Sequence, residues 1–95
     1  RMAIYRITRF KTSDAEKTAA LAEAARAEVS QMGADFIDVA FDDEGNGAVV
    51  ARYPDVATME NATATAQKVF GQMVADGAMD GASIQIWSGD VKVSL

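Results

Sequence analysis

Apolar residues occupy both alternating phases of the strands that the sequence predicts. In the first predicted strand one phase holds Ile4 and Phe10, and the other holds Tyr5 and Ile7. Because successive side chains point to opposite faces of a sheet, both faces of this sheet are expected to be partly apolar. Two helices can cover only one of these faces, so the pattern predicts a partner on the other.

Two helices are predicted from apolar stripes that repeat about every 3.6 residues. The first follows Ser13-Asp14-Ala15-Glu16, which has the form of a capping box with Ser13 as the N-cap, and Gly33 ends it. The second follows Pro54, with Asp55 as the N-cap, and ends near Gly77. Strands are predicted at residues 2–10, 34–42, 48–53 and 83–95, with a hairpin turn at 43–47 and a kink near 89–90.

The predicted order is βαββαβ, which is the split βαβ arrangement of the ferredoxin-like α+β fold. Right-handed crossovers place the strands in the order 4-1-3-2, all antiparallel, with both helices on one face. With 95 residues and one proline, residues 1–95 are expected to form one domain. The uncovered sheet face is expected to pair with a second copy, which gives a homodimeric α/β barrel.

Composition removes several classes of function. Nine basic against 14 acidic residues give a net charge of -5, which disfavours nucleic acids and anionic membranes as partners. No apolar run reaches the roughly 20 residues of a membrane span, so a cytoplasmic protein is expected. Without cysteine or histidine, thiolate catalysis, Ser-His-Asp triads and His-ligated haem or zinc are excluded. The turn at 42–47 begins like a calcium loop but has Tyr53 where a bidentate Glu is needed, so no metal site is predicted there, and no cofactor is expected either.

A group of polar residues is assigned by strand parity to the sheet face away from the helices. Guanidinium groups beside an indole and a carboxylate could orient an aromatic or carbonyl ligand and stabilise an oxyanion. The favoured alternative is an ion-pair cluster of Arg6, Asp38 and Arg52 at a dimer seam, with Trp87 as packing, because charges buried between subunits need partners in any case. The candidate ligand-binding residues are Arg6, Thr8, Asp38, Arg52, Gln85 and Trp87.

The sequence Ala51-Arg52-Tyr53-Pro54-Asp55, the Ala/Thr-rich helix after it and the long last strand from Ser83 together resemble one family. This is the dimeric α/β-barrel superfamily of antibiotic biosynthesis monooxygenase-like proteins, and the resemblance spans nearly the whole chain. It implies two sheets paired face to face, with residues 91–95 reaching across to the neighbouring subunit. It also implies oxidation of aromatic compounds without metal or flavin, whereas the haem-degrading members use a histidine that this chain lacks.

The leading hypothesis is therefore a cofactor-independent oxygenase-like enzyme, or a close non-catalytic relative, acting on a small aromatic or carbonyl compound. Its cleft is expected between the sheet and either the helices or the partner. Proton transfer would come from Asp38, Tyr5, Tyr53 or a water held by arginine, and no catalytic residue is assigned. The alternative is a non-catalytic small-molecule-binding or assembly module whose sheet face serves only to dimerise.

Overall fold

The computed structural model describes residues 2–95 and has the predicted βαββαβ order. Its four strands form one antiparallel sheet in the order β2-β3-β1-β4. This is the predicted order counted from the opposite edge, so the predicted ferredoxin-like fold is confirmed. The elements are β1 Ile4–Lys11, α1 Ala15–Ala24, α2 Arg26–Val29, β2 Phe36–Phe41, β3 Asn46–Tyr53, α3 Val56–Ala75 and β4 Gln85–Asp90, with short 3₁₀ helices at Ser30–Met32 and Gly81–Ser83.

Helix α1 is capped differently from the prediction. Asp14 is the N-cap, and its Oδ1 accepts a hydrogen bond from the backbone N–H of Lys17 at 2.9 Å. The backbone N–H of Asp14 donates in turn to the Thr12 hydroxyl at 3.0 Å. The predicted capping box with Ser13 as N-cap is therefore wrong. Because Thr12 holds the Asp14 amide, the chain enters the helix one residue later, where an aspartate caps as well as a serine.

The predicted first helix is divided into three short segments. At Ala25 the backbone takes φ -90° and ψ 1°, and its N–H is shared between the carbonyls of Leu21 and Ala22. Such three-centre bonding tightens the chain towards 3₁₀ geometry, so α1 ends here and α2 begins at the next residue. The predicted stop is confirmed, because Gly33 ends the last segment with φ 78°.

Helix α3 begins and ends as predicted. The Asp55 carboxylate accepts from the Thr58 backbone N–H at 2.8 Å and from the Thr58 hydroxyl at 2.7 Å. Gly77, with φ 73°, follows the end of the helix. The apolar stripe packs on the sheet, and its buried members are Met59, Ala62, Val69 and Met73.

The last strand is shorter than predicted. It ends at Asp90, whereas the sequence predicted a strand to residue 95. The backbone N–H of Val91 still donates to the Ala3 carbonyl at 2.8 Å, which ties the first residue of the tail to the chain that precedes β1. Beyond it Val93 and Leu95 are exposed. Within residues 2–95 the tail therefore lacks the neighbouring strand that a longer β4 would need.

The core under the helices consists of two clusters, one towards each end of the sheet. The first surrounds Tyr53 and the second surrounds Phe10. Both depend on β1, whose Ile4 and Phe10 point to the helices from opposite ends of the strand. The buried members are Ile4, Ala51, Tyr53, Met59 and Ala62 in the first cluster, and Phe10, Val69, Met73 and Met79 in the second.

Candidate ligand cavity

A cavity of about 610 Å³ lies between the sheet and the helices α1, α2 and α3. Residues of both core clusters line it, Tyr53 and Ala51 from the first and Val69 and Met73 from the second. This volume falls within the range of roughly 300–1,000 Å³ that is typical of small-molecule sites. The remaining apolar lining includes Ala22, Val29, Met32, Ile37, Val39, Phe41, Val49, Ala66 and Phe70.

Arg6 lies on the sheet side of this cavity and is held there by α3. Its Nη2 donates to the Met59 carbonyl at 3.2 Å and to the Thr63 hydroxyl at 2.9 Å. Its Cζ is 6.0 Å from the centroid of the Tyr53 ring. None of the ion pairs within residues 2–95 includes Arg6. The cavity therefore contains a partly buried guanidinium whose positive charge has no carboxylate beside it.

Two hydroxyl groups complete the polar part of the cavity. Tyr53 is 1 % exposed and Thr8 is 2 % exposed, and both line it. Neither hydroxyl has a hydrogen-bond partner within residues 2–95. In the same range every side-chain nitrogen or oxygen that is fully enclosed by protein has a partner, so these two hydroxyls are not fully enclosed. Since both residues line the cavity, their hydroxyls border its open space. Burial raises the pKa of the Tyr53 phenol, and the nearby Arg6 charge opposes this only in part, so the phenol is a hydrogen-bond donor at neutral pH.

The rim of the cavity is charged. Glu23 and Arg26 line it and form an exposed ion pair, with Arg26 Nη2 2.7 Å from Glu23 Oε1. Their mutual hydrogen bond lowers the pKa of Glu23 and raises that of Arg26. Phe36 and Asp38 also border the cavity along the edge strand β2, although the strand register directs their side chains to the open face. Because these charges are solvated, they mark an entrance and contribute little stability.

The structure divides the six predicted site residues between two faces. Arg6 and Thr8 lie on the helix-covered face with Ile4 and Phe10, so the prediction that all six share the open face is wrong. The error concerns β1, where either phase could have faced the helices. The side chains of Ile4 and Phe10 enter the core, and strand alternation then carries Arg6 and Thr8 to the same side.

The other four predicted residues belong to the open face, as the sequence predicts. Asp38 pairs with Val50 and so shares the face of Arg52, and Gln85 and Trp87 lie on the same face of β4. Arg52 Nη1 pairs with Asp35 Oδ2 at 2.6 Å, and Asp38 makes no ion pair within the described chain. The expected cluster of Arg6, Asp38 and Arg52 is therefore wrong within one protomer, since the sheet itself separates Arg6 from Arg52.

The open face carries exposed aromatic residues on both edge strands. Trp87 of β4 is 60 % exposed, and its ring covers Gly89, where an added Cβ would meet the indole. Phe36 of β2 is 39 % exposed and contacts Tyr5 edge-on, with ring centroids 6.1 Å apart. Beside Trp87 lies a smaller depression of about 260 Å³, lined in part by Ile7. This face thus has the mixed apolar character that the sequence predicts.

Sequence reasoning missed the role of Thr63 and undervalued Tyr53. Thr63 could not be found from the sequence, because no motif links it to Arg6. The burial of Tyr53 could have been found, because it pairs with Ile4 across β1 and β3 and so shares its face.

Within residues 2–95 the structure contains no cluster of three or more acidic side chains that could hold a metal ion. None of the helices in the same range is long and apolar enough to cross a membrane.

Comparisons with known proteins place the fold. No protein-family model matches the chain, and no curated protein is similar to it in sequence. Among solved structures it is similar to SnoaB, a cofactor-independent oxygenase from Streptomyces nogalater, with a TM-score of 0.76, 10% identity and coverage of 100% of this chain and 98% of the other. A monooxygenase of Streptomyces coelicolor in complex with nanaomycin D has a TM-score of 0.73 and 8% identity over 99% of this chain and 91% of the other.

A third similar structure is a dimeric ferredoxin-like protein from an uncultured marine organism. Its TM-score is 0.67, with 9% identity and coverage of 100% of this chain and 92% of the other. The chain thus has the fold of antibiotic biosynthesis monooxygenase-like proteins, as the sequence resemblance predicts. At these identities the similarity establishes the fold and leaves the reaction to be argued from the cavity.

Proposed function

We propose that this protein is a cofactor-independent monooxygenase-like enzyme that binds a small aromatic or carbonyl compound in the cavity between its sheet and helices. The observation that carries the proposal is the cavity itself, about 610 Å³ in volume, with apolar walls and the polar groups of Arg6, Thr8 and Tyr53. Apolar walls with a few convergent polar groups are typical of small-molecule sites. The similar structures include two oxygenases, which supports this choice of reaction.

The proposed reaction needs a substrate that can supply electrons. A substrate CH₂ group beside a carbonyl or phenol loses a proton to a water held by Arg6, and the resulting carbanion reduces O₂ while a C–O bond forms. The O–O bond then breaks as the carbon loses its remaining hydrogen and becomes a carbonyl, and the second oxygen takes up both protons and leaves as water, so CH₂ and O₂ are converted to C=O and H₂O. Tyr53 is the proton-transfer candidate inside the cavity, whereas Asp38 lies at its rim and Tyr5 on the open face. As a protonated phenol, Tyr53 would act by donating to the developing oxyanion.

We further propose that two copies pair through the open sheet face. Exposed Trp87 and Phe36 on the two edge strands would be covered by such pairing, and one similar structure is described as dimeric. The residues on this face would then belong to the interface, and Arg52, Gln85 and Trp87 would act in assembly. A cytoplasmic location stays a prediction from the sequence.

The proposed activity can be tested with a variant that fills the cavity. Ala66 of α3 lines the cavity and is half-buried, whereas Ala64 on the same helix is exposed and does not line it. The purified protein is given quinol-type and other carbanion-forming aromatic compounds under oxygen, and O₂ consumption and product are measured. The Ala66→Phe variant is expected to lose about tenfold or more in kcat/KM because the substrate is displaced, whereas Ala64→Phe keeps the activity.

Three outcomes separate the hypotheses. Turnover that Ala66→Phe removes and Ala64→Phe retains supports an enzyme working in this cavity. Binding of the same compounds without turnover, blocked by Ala66→Phe, favours the non-catalytic binding module. If neither binding nor turnover exceeds the level in buffer, the proposed function should be abandoned.

A further inference from the structure

We propose that Arg6 and Tyr53 form an oxyanion site in the cavity, that Thr63 is a positioning residue for Arg6, and that the cavity takes planar aromatic compounds in their anionic form. The anionic group would be a phenolate, an enolate or a carboxylate on an otherwise apolar frame. This inference rests on the proposed function only in requiring that the cavity binds a small molecule. It adds the charge of the ligand and the residues that select it.

The first argument is the uncompensated charge of Arg6. Arginine stays protonated in proteins, so its charge cannot be lost when the side chain is partly buried. Both bonds that Arg6 makes within the described chain come from Nη2, which leaves Nε and Nη1 without a partner there. A cation taken out of water is normally paired with an anion, and within residues 2–95 Arg6 is bound by a carbonyl and a hydroxyl and lies over the Tyr53 ring, none of which carries a negative charge. An anionic ligand oxygen would supply the missing charge.

The second argument is the Tyr53 phenol. Its ring lies beneath the guanidinium, 6.0 Å from Arg6 Cζ, and its hydroxyl borders the same cavity without a protein partner in residues 2–95. A neutral phenol beside a cation is a donor that can bind the same oxygen. Because burial keeps Tyr53 protonated, the two groups do not neutralise each other. The hydroxyl of Thr8, a residue that is 2 % exposed, also borders the cavity without a partner in residues 2–95 and offers a further bond.

The third argument is the way in which α3 holds Arg6. Thr63 Oγ1 accepts from Arg6 Nη2 at 2.9 Å and can donate to the Met59 carbonyl at 3.4 Å. The Met59 carbonyl also accepts from Arg6, so the three groups form a closed arrangement. Restricting a long side chain in this way lowers the entropy that it would otherwise lose on binding. Thr63 need not touch the ligand to influence its affinity.

A coloured probe tests the proposal without knowledge of the natural ligand. 4-Nitrophenol is colourless as the phenol and yellow as the phenolate, and 4-nitroanisole is its neutral analogue. Titration of the whole protein with each compound gives the two affinities, and absorbance gives the apparent pKa of the bound nitrophenol. In the wild-type protein this pKa is expected to fall on binding, with the phenolate bound more tightly than the anisole.

Four variants assign the effect to residues. Arg6→Met is expected to lose about ten- to a hundredfold in phenolate affinity and to abolish the pKa shift, because a charged hydrogen bond is removed. Arg6→Lys restores part of the shift, and Tyr53→Phe loses about three- to tenfold. Thr63→Val is expected to reduce phenolate affinity severalfold without changing that for anisole. Thr65→Val is the matched control, since Thr65 lies on the same helix and makes no hydrogen bond to Arg6. Circular dichroism confirms that each variant is folded.

The outcomes separate this inference from the proposed function. If both probes bind equally and Arg6→Met alters neither affinity, the cavity is a ligand site but the oxyanion inference is overturned. If Thr63→Val behaves as Thr65→Val does, the positioning role is wrong. If neither probe binds, the ligand cavity fails and the oxyanion site fails with it. A pKa shift present in the wild type, absent in Arg6→Met and partly restored in Arg6→Lys supports the proposal.

Discussion

Replacing Gly47 with alanine would put a methyl group where the Phe10 ring lies. Gly47 of β3 pairs with Phe10 of β1, and the ring covers the glycine. An added Cβ would be 2.5 Å from Phe10 Cζ and 2.6 Å from Cε2, well inside van der Waals contact. The ring has little room to move, because Phe10 is 2 % exposed and packs against Met73 and Met79.

The expected loss of stability follows from two opposing effects. Overpacking a buried site costs about 1–3 kcal/mol. Removing a glycine from a strand returns about 0.5–1 kcal/mol of backbone entropy. With the middle of each range, about 2 against about 0.75 kcal/mol, we expect the Gly47→Ala variant to be less stable by about 1 kcal/mol, and each kcal/mol lowers the Tm of a domain of this size by roughly 4–8 °C.

The same substitution at Gly71 is the matched control. Gly71 lies within α3, and an added Cβ there has no atom within 4 Å. Gly71→Ala should raise the free energy of unfolding by about 0.5–1 kcal/mol, because glycine is a poor helix former. Urea unfolding followed by circular dichroism, at one protein concentration for all variants, measures both changes. A Gly47→Ala variant as stable as the wild type, with Gly71→Ala stabilised as expected, would refute the packing argument.

Three further predictions concern other parts of the fold. Because the pKa of Tyr53 is raised, the folded protein binds the phenol proton more tightly than the unfolded chain does, and this difference stabilises the fold. The stabilisation is complete below about pH 10 and declines at higher pH. Above that pH the urea midpoint of the wild type should fall, and that of Tyr53→Phe should fall less. Removing residues 91–95 should weaken the proposed dimer, because this tail lies outside β4 with Val93 and Leu95 exposed and so is available to a second copy, and sedimentation showing an unchanged dimer would contradict strand exchange. Thr18→Val should lower the free energy of unfolding in urea by about 1–2 kcal/mol, because the buried Thr18 hydroxyl donates to the Ala78 carbonyl at 2.8 Å. An unchanged urea midpoint would mean that this hydrogen bond contributes nothing to stability.

Local sequence determined most of the elements of this protein. Asp55 and Gly77 mark the ends of α3 and Gly33 ends the first helical region, because capping and left-handed turns depend on residues close in sequence. The right-handed rule for crossovers then leaves one sheet order, which is the order observed. The start of the first helix and its break at Ala25 were not predicted, since a neighbouring threonine and a shared hydrogen bond decide them.

The ligand cavity depended on tertiary structure. Strand alternation alone allows either side of β1 to face the helices. One side carries Ile4 and Phe10 together with Arg6 and Thr8, and the other carries Tyr5, Ile7 and Arg9, so each side has both apolar and polar residues. Only the packing of α3 selects between them, by burying Ile4 and Phe10 in the two core clusters and binding Arg6 through Thr63. The periodicity determined that a sheet with two partly apolar faces would form, and the contacts of one helix decided which polar residues face the cavity.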